Sequence, residues 1–233
     1  GAILAARESR TEVTQYDLIR SIEKVMLGPE RKSHLLSKRE KELTAYHEAG
    51  HALVSSVLEY ADPVHKISII SRGRAAGYTL KLPFDDRKMQ SKKQFLDDIA
   101  ATLGGYAAEE MLFDDVTTGP SSDLQVITAI ARDMVTRYGM SDKLGPIAFG
   151  DRELGREPYS EKVAAEIDAE VSRIIDDAKA RAMVAINAHR GALDAIAKEL
   201  IEKETIERSE FEKILIANGI TPKKREEEEN VVV

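Results

Sequence analysis

Apolar residues recur every three or four positions through most of this chain, and the stretches in which they alternate instead are short. The strongest stripe, Val163, Ile167, Val171, Ile174, Ala178, Ala182 and Ala185, marks the buried face of a helix over Ser160 to His189. Similar spacing predicts helices from about Ser91 to Phe113, Ser122 to Tyr138, Ala192 to Ile201 and Ser209 to Ala217. Near the amino terminus Thr14 can cap a run carrying Leu18, Ile19, Ile22 and Val25, so residues 1 to about 26 read as two short helices closed by Gly28-Pro29. Ser37 and Glu40 form a capping-box signature for a helix running to about Leu58. After it, His65 to Ile70 and Tyr78 to Leu82 are β-rich, and Gly73 and Gly77 between them predict a small hairpin-like sheet. The expected fold is mainly α, with a small β element beside the Ser37 helix.

Composition narrows the chemistry. With 233 residues, 42% of them hydrophobic and 32% charged, the chain can bury a substantial core. Its formal charge of -7 carries no Lys/Arg surplus of the kind that binds phosphate backbones, which argues against nucleic acid as a partner. Cysteine is absent, so disulfides and thiolate metal sites are excluded, and a tightly held transition metal must use His, Asp or Glu. No apolar run approaches the roughly 20 residues that cross a bilayer, and the first residues do not form a signal peptide; the chain as it stands is expected to be soluble. Lys223-Lys224-Arg225 and the glutamates after it read as a solvated, disordered tail.

The Ser37 helix carries Thr44-Ala45-Tyr46-His47-Glu48-Ala49-Gly50-His51, a His-Glu-x-x-His pattern. Residues four apart share a helix face, so the His47 and His51 imidazoles can converge on one ion while Glu48 stands beside them. Zinc takes neutral imidazole nitrogens at about 2.0–2.1 Å, and a catalytic site keeps one position open for water whose proton Glu48 can accept. The bland alternative is a capped surface helix. Against it stand Ala45, Ala49, Ala52, Leu53, Val54, Val57 and Leu58, which suit most faces of this helix for burial, where two histidines without partners are costly. Gly50 within the helix costs about 1 kcal/mol relative to alanine, which points to a close backbone approach there.

Spacing leaves the third ligand open. The longer metzincin pattern is absent, because Val54 and Val57 occupy the positions where it needs Gly and His. Glu59 lies about 12 Å along the helix from His51, too far for one coordination sphere. The candidates are Glu109 or Glu110 near the end of the Ser91 helix, Asp123 after a Gly119-Pro120 turn with Ser122 as a possible cap, and His65 at the start of a strand.

Several separate runs, TAYHEAGHALV, DPVHKISIISRGRAAGYTLKLP, LGGYAAEEMLF and TTGPSSDLQVITAIARDMVTRYGMSDKLGP, closely resemble the peptidase domain of the FtsH family of ATP-dependent membrane proteases. The resemblance covers about residues 28 to 220 and implies a zincin-like helical peptidase with zinc held by His47, His51 and Asp123 and with Glu48 as the catalytic residue. Glu109 and Glu110 then become supporting residues. Pro120 stands where the family usually has Ala. Residues 1–27 resemble the final helices of an AAA ATPase module, leaving 28–220 as the peptidase and 221–233 as the tail. No Gly-x-x-x-x-Gly-Lys-Ser/Thr phosphate loop occurs, so ATP would be bound only by the rest of that module. The resemblance further implies a homohexamer at the cytoplasmic face of the cell inner membrane, anchored by segments not present in this chain, that degrades unfolded and membrane proteins in quality control. Strand His65 to Ile70 could receive such substrates by strand addition. Two rival readings are a metal-free oligomerisation module and a small-molecule metallohydrolase.

Overall fold

The computed structural model describes residues 1–28, 37–71, 76–83, 89–149 and 159–224. The charged stretch that follows Gly28-Pro29 and most of the acidic tail lie outside the described residues. Two helices open the chain, α1 (Ala2–Arg7) and α2 (Gln15–Leu27), the second started by a capping box in which Thr14 and Asp17 exchange hydrogen bonds. The apolar positions read on α2 do not face the main core: Leu18, Ile22 and Val25 are exposed.

The centre of the molecule is α3 (Lys38–Val57), begun by the expected Ser37–Glu40 capping box. Its apolar stripe, including Ala45, Ala49, Ala52 and Leu53, is fully buried, because the helix is flanked on several sides. The expected helix from Ser91 is interrupted into α4 (Lys92–Thr102), with Ser91 and Gln94 making another capping box, and α5 (Gly104–Phe113). Leu103 and the glycine pair behind it produce the break, since consecutive glycines give the backbone freedom to kink. Then come α6 (Ser121–Thr136), α7 (Glu161–Ala188), α8 (Arg190–Lys203) and α9 (Arg208–Ala217). On α7, Ile167, Val171, Ile174, Ala178, Ala182 and Ala185 are buried as the stripe predicts. α3 packs most extensively against α5 and α8, while α6 and α4 lean on α7.

The β element departs from expectation. β1 (Val64–Ser68) and β2 (Tyr78–Lys81) pair antiparallel, but a third strand, β3 (Thr205–Glu207), adds to the far side of β1. The order β2-β1-β3 makes β1 the central strand, and Lys66, Ile67 and Ser68 are paired on both edges. A substrate therefore cannot add to the His65–Ile70 strand as its sequence suggests, because its ladder positions are already taken. β3 escapes sequence reading because Thr205-Ile206-Glu207 is only three residues long and lies directly between two helices. Lys66, buried on β1, pairs with Glu207 of β3 at 2.8 Å and with Glu23 of α2 at 3.1 Å, joining the amino-terminal helices to the sheet.

Candidate metal centre

On α3 the i,i+4 spacing does what it predicts. His47 and His51 turn toward each other with their Nε2 atoms 3.0 Å apart. Asp123, in the first turn of α6, places Oδ2 3.3 Å from both nitrogens. His47, His51 and Asp123 form the group among the described residues able to offer three donor atoms to one ion. Of the other candidates, Glu109 and Glu110 stand on α5 but do not join the donor set: Glu110 pairs with Lys179 at 2.7 Å, and Glu109 lies behind His47. His65 sits on β1, where burial, opposed in part by Glu207 and Glu23, lowers its pKa.

The hydrogen bonds behind the rings decide which nitrogen carries the proton. His47 Nδ1 lies 2.7 Å from Glu109 Oε1, and His51 Nδ1 lies 3.0 Å from the carbonyl of Ala101. Both partners are acceptors, so each ring donates through Nδ1–H. The Gly105 N–H also points at His51 Nδ1, at 3.3 Å; the shorter carbonyl contact governs. Both Nε2 lone pairs then face one another and a carboxylate oxygen, three acceptors with no donor between them. Such an arrangement is repulsive unless a cation or an extra proton is shared. Burial disfavours the charged form of His47, but the carboxylates of Asp123 and Glu109 outweigh that and raise its pKa to about 10. Asp123 is held well below the usual carboxylate range by the two histidines, against the opposing effect of burial. A tetrahedral ion with bonds of about 2.0–2.1 Å has donor-to-donor edges of about 3.3–3.4 Å. The two Asp123 contacts already have that length, and histidines backed by a carboxylate and a carbonyl are the usual support of a bound zinc. The residues fit a zinc ion.

Glycines clear the space. A Cβ on Gly50 would meet the carbonyl carbon of Gly104 at 2.8 Å, and a Cβ on Gly104 would lie 2.5 Å from Gly50 O, so α3 and α5 cross backbone to backbone. A Cβ on Gly105 would lie 2.5 Å from Cε1 of His47. Glu109 has two tasks, since its Oε2 also accepts from the Thr117 N–H at 2.9 Å and so anchors the loop that leads to Asp123. That loop ends on Pro120 as the N-cap of α6, without the side-chain cap that Ser122 offers in sequence, because the helix begins one residue earlier at Ser121. A proline there forgoes only an N–H that has no helical partner.

Glu48 is 5% exposed and stays outside the donor set. Burial raises its pKa, with His51 and His47 opposing. The Thr79 hydroxyl on β2 donates to Glu48 Oε2 at 2.8 Å.

Comparison with known proteins identifies the family. A family model described as Peptidase family M41 matches residues 34–214. The chain belongs to peptidase family M41. Its relatives include the ATP-dependent zinc metalloprotease FtsH 1 of Sphaerobacter thermophilus, 50% identical over 220 residues, or 91% of this chain and 34% of that protein. FtsH 1 of Conexibacter woesei is 47% identical over 223 residues, 92% of this chain and 34% of the relative. FtsH of Thermotoga maritima is 49% identical over 224 residues, covering 92% and 37%. This M41 chain thus spans about a third of the length of these curated relatives. Among its described residues no helix is long and apolar enough to cross a membrane. Sequence reasoning singled out His47, His51, Glu48 and, through the resemblance, Asp123, and the structure brings His47, His51 and Asp123 together. It did not find Thr79, Gly105 or the Ala101 carbonyl, which bear on the site only through the packing of β2, α4 and α5 against α3.

Proposed function

We propose that this chain is the zinc-dependent endopeptidase part of an ATP-dependent protease, with His47, His51 and Asp123 holding the metal and Glu48 serving as proton carrier. The convergence of three acceptor atoms, with a buried carboxylate one residue along from His47, carries the reading. When bound, zinc polarises a peptide carbonyl and lowers the pKa of water from 15.7 toward about 7. Glu48 takes a proton from the attacking water and delivers it to the amine released when the C–N bond breaks. Its burial favours this exchange, because a carboxylate pushed upward from its ordinary value receives a proton more readily near neutral pH. Substrate backbone pairs along β2, one of the two edge strands of the sheet, so recognition is largely indifferent to side chains.

In this reading residues 1–27 are the end of an AAA module and 28–220 the peptidase, followed by the charged residues 221–233. The names of the relatives support ATP dependence, with ATP handled outside this chain. Assembly as a homohexamer at the cytoplasmic face of a membrane, acting on unfolded proteins, belongs to the same reading. Zinc analysis combined with casein cleavage tests it. One zinc per chain is expected in the wild type and in Glu48→Gln, with cleavage lost in the variant, whereas His51→Ala should lose the metal. A wild type that binds zinc but cleaves only small amides or esters would overturn it.

A further inference from the structure

We infer that Thr79 is a positioning residue that aims the Glu48 carboxylate, so that edge strand β2 sets the geometry of the proton carrier; this rests on Glu48 having that role. Thr79 lies on β2 opposite Ile67 of β1, and Ile67 in turn pairs with Ile206 of β3. Ile67 and Ile206 are both fully buried in the main core, and Thr79 shares their sheet position. Its hydroxyl is the polar group of this cross-strand row, and it reaches α3 twice: Oγ1 is 2.8 Å from Glu48 Oε2 and 3.2 Å from the Glu48 carbonyl oxygen. A hydroxyl has one proton to give, and the shorter contact to the charged oxygen takes it.

The other carboxylate oxygen lies beside the same segment. A Cβ on Gly77 would lie 2.8 Å from Glu48 Oε1, 3.0 Å from its Cγ and 2.8 Å from the carbonyl oxygen of Ser68. Gly77 therefore leaves Oε1 space that any side chain there would take, while Thr79 fastens Oε2. A Glu side chain has three rotatable bonds, and burial restricts them without choosing a direction; the hydrogen bond from Thr79 to Oε2 chooses it. One donated bond leaves Oε2 a second lone pair and Oε1 both of its own, so the carboxylate keeps the capacity to accept a proton. Fixing Thr79 needs β2 in register with β1, which ties the aim of Glu48 to the strand that offers its edge to substrate.

Kinetics of the zinc-loaded protein on a fluorogenic peptide, measured with zinc content and melting temperature, test this. In Thr79→Val kcat should fall by about tenfold, part of the 10²–10⁴-fold that a positioned acid–base group contributes, with KM within about twofold. Zinc should remain at one per chain. Thr79→Ser, which restores the hydroxyl, should recover kcat to within about threefold of wild type. The residual rate of Glu48→Gln, read at high enzyme concentration, should be no lower when Thr79→Val is added, because residues acting as a unit do not add. The inference is overturned if Thr79→Val keeps kcat within twofold, if Thr79→Ser is as impaired as Thr79→Val, or if zinc or melting temperature falls in step with rate. A wild type without peptidase activity, or an active Glu48→Gln, would instead refute the role of Glu48 itself and remove the basis for Thr79.

Discussion

Replacing Gly105 by alanine adds one methyl group where α5 backs onto the His47 ring. The new Cβ would stand 2.5 Å from Cε1, 2.6 Å from Nε2 and 2.7 Å from Nδ1. Carbon atoms rest at about 3.5–4.0 Å, so the ring must retreat by about 1 Å. α5 cannot give way, because the adjoining Gly104 is already in backbone contact with Gly50. The ring therefore moves, breaking its 2.7 Å bond to Glu109 and taking Nε2 far outside the tolerance of about 0.2 Å that metal bonds allow. We expect zinc affinity to drop by at least about a hundredfold, as for severe damage to the support of a ligand, and peptidase activity to vanish with it. The helix itself gains, since alanine is favoured over glycine by about 1 kcal/mol, so the far-ultraviolet circular dichroism should be unchanged. Metal analysis after gel filtration against a weak chelator, with a casein assay on the same fractions, reads both effects. A Gly105→Ala protein carrying one zinc per chain and cleaving at the wild-type rate would refute the claim that this glycine makes room for the ligand.

The same change at Gly50 should act on the fold instead, because its Cβ meets backbone; a loss of about 3 kcal/mol or more is expected in urea unfolding of the zinc-free protein. Glu109→Ala leaves the His47 tautomer unguided and the Thr117 loop loose, so competition with a chelator should show zinc bound about 10–100-fold more weakly. Glu170, buried on α7, is held below its ordinary pKa of 4.5 by Arg173 and, against burial, by Ser141. A depressed carboxylate contributes stability that is complete above about pH 4.5 and disappears as pH falls through its lower folded value. Glu170→Gln should therefore melt below wild type at pH 7 and converge with it in acid, as calorimetry across that range would report. Adding zinc to the stripped wild type should raise its melting temperature with ligand concentration, and His51→Ala should show no such rise.

The sequence made most helices readable because they carry buried apolar positions at helical spacing, and Ser37 with Glu40 caps α3 as their positions suggest. It concealed the break at Leu103, since the apolar period continues across it, and it concealed β3, which exists only because β1 is there to pair with. The site divides along the same line. His47, Glu48 and His51 follow from helical geometry within one element. Asp123 lies 72 positions beyond His51, and no local period connects them; family resemblance, not spacing, distinguished it from Glu109, Glu110 and His65. Thr79 and Gly105 are further removed, for their effect passes through contacts that arise only when three elements meet.

The crossing of α3 and α5 through Gly50 and Gly104 also bears on what the proposed metal would contribute to the fold. In a zinc finger the ion supplies the folding free energy, and chelation denatures the domain. Here the donor-bearing helix is clamped to its neighbour, main chain on main chain, inside an apolar core that owes nothing to the ion. Stripping the zinc should cost this protein its chemistry and leave its architecture standing, so that loading becomes a reversible event with its own kinetics, separate from biogenesis of the chain.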